Sequence, residues 1–326
     1  MEIVTIRPDR LSITRLRKKT DVKQASLDNL NKIKSSFVIS ATAKKQIIES
    51  VMSLYYLSLP RYQKTSTKKD IYNFRASFLT LKLPANQQHS DVDIKKCLNV
   101  FLTSLRTTYN LDNYIWVAEL QKNTNIHFHL VIDKYIDYVH LRRLWNKALA
   151  PLGYIEAYAA KFLSMTQADY ITYRVNQDKT YNNTIDIQSY VKAYKEGRRV
   201  HFSQPNSVDV RSVKGNRVAA YMSKYISKSA GSELCDKDRC QQFGKLWARS
   251  QTLSTLRYED RIEIESISEL IQEFIESKKG TRFYKYDYCA VVYITIDELP
   301  QILKDFMLDY LFRNAQKYNY QFPALN

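Results

Sequence analysis

The sequence predicts an α+β fold, a central antiparallel sheet with helices packed against it and helical and mixed extensions at either end. Three observations point there. Between residues 71 and 149 the apolar pattern runs strand, helix, strand, strand, helix, an order that suits antiparallel pairing with helices on one side. The two adjacent strands meet at Asn123-Thr124-Asn125, three residues suited to a turn. The composition, 44% hydrophobic and 13% aromatic over 326 residues, is that of a chain able to bury a full core.

Each element has its own signal. Residues 1–35 mix basic residues with short apolar groups, and the run Arg15-Leu16-Arg17-Lys18-Lys19 reads equally as a nucleic-acid contact or a solvated charge run. A helix is expected over 42–59, striped by Ile47, Ile48, Val51, Leu54 and Tyr55 and ended by Pro60. Residues 61–70 read as an exposed linker. A strand at 78–84 closes on Pro84, and a helix over 92–109 carries Ile94, Cys97, Leu98, Phe101, Leu102 and Leu105 on one face. The hairpin follows, then a helix over 140–149 with Leu141, Leu144, Trp145 and Leu149 as its apolar residues. Residues 154–173 are rich in aromatics, 176–184 are polar enough for a loop, and 187–195 suit a short helix or strand. A helix is read over 218–229, an acidic amphipathic helix over 262–277, a strand over 284–296 and a helix over 299–318. The tail either covers the main domain or mediates self-association.

The organising stretch is 119–133. Glu119, Gln121, His127 and His129 stand two apart on their strands, so they share one face of the hairpin. With the turn at 123–125, Glu119 is expected opposite His129 and Gln121 opposite His127. Imidazole with carboxylate can bind a divalent ion or move protons, and residue types alone do not choose magnesium, manganese or zinc. A histidine satisfied within the core is the plainer alternative. In the second informative segment Tyr221, Lys224, Tyr225 and Lys228 follow the spacing of one helical face. There a phenol can attack a phosphate while lysines stabilise its charge; the alternative is an aromatic stripe packed on the core.

Fifty Lys and Arg against 33 Asp and Glu leave a net charge of +17, which favours a polyanionic partner. No apolar run approaches a membrane span, so no membrane partner is expected, and the N-terminus has no signal-peptide core. The four cysteines form no CxxC pair, which suits a reducing cytoplasm. No GxxxxGK[ST] loop is present, so a fused ATP-driven helicase is not expected.

In order, the strand with Phe78, Thr80, Leu81 and Pro84, the His127-Phe128-His129 pair after Glu119, and Tyr221-x-x-Lys224-Tyr225-x-x-Lys228 resemble the HUH endonuclease superfamily. Within it the chain looks most like rolling-circle replication initiators of small single-stranded DNA phages and related plasmids. The resemblance covers residues 71–230 and implies an HUH nuclease-like domain there, with a basic, largely helical extension at 1–70 and an accessory α/β region at 231–326. It implies a nickase and ligase of single-stranded origin DNA that works through a covalent 5′-phosphotyrosine. Tyr221 and Tyr225 would be its nucleophiles, with Lys224 and Lys228 beside them. His127 and His129 would hold Mg2+ or Mn2+, with Glu119 as third ligand and Gln121 as fallback. A host helicase and DNA polymerase would be its partners in the bacterial cytoplasm. A relaxase or transposase of the same superfamily would use nearly the same residues. A basic DNA-binding regulator without catalysis is the reading from a different class.

Overall fold

The computed structural model describes residues 2–15, 39–58, 61–64, 71–121, 123–180, 183–213, 222, 244–258, 270, 271, 273, 274, 277, 283–285 and 289–322. Strands β1 (Glu2–Arg7) and β2 (Arg10–Arg15) form a hairpin where the sequence shows only scattered apolar groups. Helix α1 (Ala41–Leu57) starts at Ser40, whose hydroxyl accepts from the Ala43 amide at 3.2 Å and satisfies a donor the helix cannot. Strands β3 (Arg61–Lys64) and β4 (Ile71–Phe74) pair with each other, so part of the expected linker is a ribbon.

The central region begins with β5 (Ala76–Leu81) and α2 (Asp91–Tyr109). Ser90 caps α2, and Asn110 ends it in the left-handed region at φ 49°, a conformation asparagine tolerates. Strands β6 (Tyr114–Leu120) and β7 (Ile126–Ile132) form the expected hairpin, and α3 (Tyr138–Leu149) follows, capped by Asp137. Three more helices come next, α4 (Tyr154–Leu163), α5 (Gln167–Thr180) and α6 (Ile187–Arg199). Thus α5 runs into the stretch expected as a loop, and the ambiguous segment after it is helical. The three helices bury Phe162, Tyr170, Tyr190 and Phe202 in a small cluster of their own.

Strand β8 (Val208–Val213) returns the chain to the sheet, and β9 (Trp247–Arg249) completes it ahead of the short α7 (Gln251–Thr255). The expected strand at 284–296 contains two, β10 (Phe283–Lys285) and β11 (Cys289–Tyr293), and α8 (Gln301–Lys317) ends the described chain. The main sheet has five strands in the order β8-β5-β7-β6-β9, all antiparallel, with helices around it. The predicted α+β class is what the structure shows, and the arrangement is compatible with an HUH-like nuclease fold.

A second sheet has the order β1-β2-β11-β10, so strands far apart in sequence pair side by side. Arg7 and Arg10 meet Glu49 of α1 at 2.6 and 3.0 Å, which ties the first hairpin to that helix.

The two faces of the main sheet face different cores. Leu79, Leu81, Trp116, Ala118, Phe128 and Leu130 turn toward α2 and α3, where Phe101 and Trp145 fill the space. Ala76, Phe78, Ile115, Val117 and Val131 turn the other way, into a cluster with Val51 and Leu54 of α1 and Met307 and Leu311 of α8. Described residues from each of 1–70, 71–230 and 231–326 contribute to that second cluster. Among the described residues no helix is long and apolar enough to cross a membrane.

Trp145 links the helical layer to the sheet edge. Its ring meets Phe101 and Phe128 edge-on, and its indole N–H donates to the Lys82 carbonyl at 2.8 Å. Replacing Trp145 with Ala is expected to cost about 3–5 kcal/mol in urea unfolding, because it opens a large cavity and orphans that carbonyl.

Candidate functional site

The hairpin register decides which side chains meet. Glu119 lies opposite His127, and Val117 opposite His129; the expected register placed Glu119 opposite His129 and Gln121 opposite His127. The cause is a tighter turn. The Gln121 amide donates to the Asn125 carbonyl at 2.9 Å, the Thr124 amide donates to Gln121, and Thr124 takes φ 64°. Gln121 therefore closes the turn instead of facing a histidine. The correction moves the partner by two residues, and a two-residue shift leaves every side chain on its original face. Glu119, His127 and His129 remain together.

A polar clamp holds this turn. The Gln87 amide donates to Asn125 Oδ1 at 2.8 Å, Asn125 Nδ2 donates to the Ala85 carbonyl at 3.0 Å, and the Ile126 amide donates to Gln87 Oε1 at 2.9 Å. The loop between β5 and α2 is thus bonded directly to the start of the histidine strand.

His129 is the most enclosed member, 2% exposed, with both ring nitrogens engaged. Its Nε2 lies 2.6 Å from Glu119 Oε2 and its Nδ1 lies 3.2 Å from the Thr80 hydroxyl. A carboxylate can only accept, so Nε2 donates to it, and Nδ1 of the neutral ring accepts from Thr80. Phe78, also on β5, stacks on the ring with centroids 5.7 Å apart. Thr80 and Phe78 entered the sequence reading only as part of a resemblance. Their side-chain parity with His129 across β5 and β7 is the signal that places them here.

His127 differs. Its ring lies 6.4 Å from that of His129, nearly perpendicular to it, and burial first, then the charges of His129 and Lys82, push its pKa down to about 3. It is therefore a neutral imidazole with a lone pair at any physiological pH.

Three of the four expected ligands, Glu119, His127 and His129, come together on one buried face. Among the described residues no group of three or more His, Cys, Asp or Glu is close enough as it stands to hold a metal ion. The donor chemistry still fits one. Two neighbouring ligands on an ion bound at about 2.1 Å stand about 3.0 Å apart, and Glu119 Oε2 and His129 Nε2 are 2.6 Å apart. A small separation of the pair would admit the ion, and His127 would supply the third donor by turning its ring.

Tyr221, Lys224, Tyr225 and Lys228 lie outside the described residues. Met222, between the two tyrosines in sequence, is described: it is helical, fully buried, and part of the cluster that contains Phe78 and Val117 of the histidine face. The Arg15–Lys19 run also lies outside the described residues apart from Arg15, which ends β2.

The fold and site together define an α+β protein with a buried imidazole and carboxylate cluster on the central strands of an antiparallel sheet, carried by a strongly basic chain. Residues 76–230, a little under half of the chain, match the replication-associated protein family of the ORF2 type, and this supports a replication-initiator role. The match begins with β5 and contains Glu119, both histidines and the tyrosine segment. No curated protein and no solved structure matches the chain.

The depressed pKa of His127 has a consequence for stability. An unfolded histidine takes up its proton near pH 6.5, whereas folded His127 refuses it until about pH 3. Its contribution is fully present above the first value and is lost as pH falls toward the second. In the metal-free protein, His127→Gln is expected to flatten the fall in urea midpoint between about pH 7 and about pH 4. An unchanged slope would show that His127 is protonated as readily folded as unfolded.

Proposed function

We propose that the chain is a replication initiator that nicks and religates single-stranded origin DNA through a tyrosine. The observation that carries this is the convergence of Glu119, His127, His129 and Thr80 on the central strands, inside the region similar to replication-associated proteins. The net charge of +17 suits a DNA partner.

In this reading Tyr221 or Tyr225 attacks the scissile phosphorus. The Tyr Oη–P bond forms as the P–O3′ bond breaks, and the leaving oxygen takes a proton to become a free 3′-hydroxyl. The second tyrosine repeats the step at the end of a round and so permits strand transfer. Met222 supports this placement, since it packs into the core of the same sheet face. Lys224 and Lys228 stabilise phosphate charge and favour the tyrosinate. Glu119 and Thr80 fix the ring of His129, and the neutral His127 keeps its lone pair available. His127, His129 and Glu119 would hold Mg2+ or Mn2+, which supplies polarisation of a non-bridging phosphate oxygen. A host polymerase extends the 3′-hydroxyl, and a host helicase supplies unwinding.

The test incubates purified protein with labelled single-stranded fragments of its replicon in manganese, magnesium or chelator, followed by denaturing electrophoresis and peptide mapping. A metal-dependent 5′ adduct on Tyr221 or Tyr225 is expected. Changing both tyrosines to Phe is expected to abolish the adduct while DNA affinity stays within a few-fold. Glu119→Gln or His127→Ala is expected to slow cleavage by at least about a hundredfold. Tight binding by folded protein with no adduct on any fragment would instead favour a regulator that binds without cutting.

A further inference from the structure

Every strand of the main sheet contributes one residue to a single row across the histidine face: Asp209, Thr80, His129, Val117 and Trp247. Opposed pairs in a sheet point to the same side, so Trp247 on the edge strand β9 shares the face of His129. It is half-buried, with part of its ring against the core and Arg249 6.0 Å from its centroid. At the other flank, Lys82 lies two residues beyond Thr80 and so also on this face. Its backbone is fixed from both sides: its amide donates to the Ser207 carbonyl at 2.8 Å and its carbonyl accepts from Trp145. The side chain is exposed, acts electrostatically on His127, and has no ion-pair partner among the described residues. The carboxylate of Asp209 is engaged by Arg211 at 3.2 Å, so an anion approaching this face meets it neutralised.

We propose that Lys82 and Trp247 form a seat for single-stranded DNA across the site, a backbone phosphate on the Lys82 ammonium and a base stacked on the Trp247 indole. The cluster of Glu119, His127 and His129 lies between them. Three inter-strand steps separate β5 from β9, roughly 14 Å. At about 3.4 Å per stacked nucleotide, that is a run of roughly four. Stacking on an indole needs the open face of a base, which a duplex hides, so the fit is to a single strand. This proposal rests on the DNA-processing reading above, and adds a residue from outside the matched region.

The chain has three tryptophans, which makes the test specific. Trp116 and Trp145 are 4% and 1% exposed under the opposite face, leaving Trp247 as the indole a ligand can reach. The full chain is titrated with a 20-nucleotide oligothymidylate, and with single-stranded fragments of its replicon, in chelator, where no cleavage occurs. Intrinsic fluorescence should be quenched in the wild type. Trp247→Phe should lose most of the quench while keeping a reduced stacking surface, and Trp247→Ala should weaken binding about tenfold. Lys82→Gln should lower the slope of log K against log salt by about 0.7, and Lys82→Arg should restore it. Circular dichroism confirms that each variant is folded.

A quench that persists in Trp247→Phe, or an unchanged salt slope in Lys82→Gln, overturns the seat even if the wild type forms its tyrosine adduct. Loss of both signals in a protein that forms no adduct keeps the seat and removes the nickase. A wild type that binds none of these strands removes both.

Discussion

The hydrogen bond between Glu119 and His129 depends on one choice, the register of the β6–β7 hairpin. A slip by a single residue would turn the carboxylate toward Trp145 and Phe128, away from both imidazoles. The clamp from Gln87 to Asn125 and Ile126 holds the turn where that choice is made. Its bonds come from a loop that also leads into α2, so the placement of a helix on one face helps to set the pairing of polar groups on the other. Burying Glu119, His129 and Thr80 is costly unless they satisfy one another, and the bonds at 2.6 and 3.2 Å do so. Phe78 closes the remaining side of the ring, which limits His129 to small movements.

Much of this was legible in the sequence, for reasons that can be named. Helices α1, α2 and α3 carried apolar stripes and a capping Ser or Asp, and their bounds in the structure lie within two residues of the expected ones. The shared face of Glu119, His127 and His129 was legible because strand parity survives an even-numbered error in register. The register itself was not, since it depends on Thr124 adopting a left-handed conformation that threonine rarely takes. Hairpin β1–β2 was hidden because its alternation is short and interrupted by charges that pair with α1 only once folded. Trp247 was read as packing at a domain edge, and only the pairing of Val117 with Trp247 brings it to the histidine face. No local pattern announces a partner 130 residues away in sequence.

The histidine face is divided along its length. Toward one end, Ala76, Ile115 and Val131 are sealed by α1 and α8; toward the hairpin turn stand Glu119, His127 and Lys82. The sealed end supplies burial and rigidity, while the other provides charge and access. This division lets one sheet serve as both core and working surface, and it explains why β5 and β7 are buried along their whole length although they carry Thr80, His127 and His129.

The pairing of β2 with β11 joins residues far apart in the chain, with Leu11 facing Val292. Such a contact cannot form until the ribosome has made both strands. The helices and strands between Ala76 and Val213 can pair as they emerge, but the layer over the histidine face waits for β11 and α8 to follow. Premature termination before them would therefore leave that face open and apolar, so that incomplete products are marked for aggregation or proteolysis before they can act on DNA.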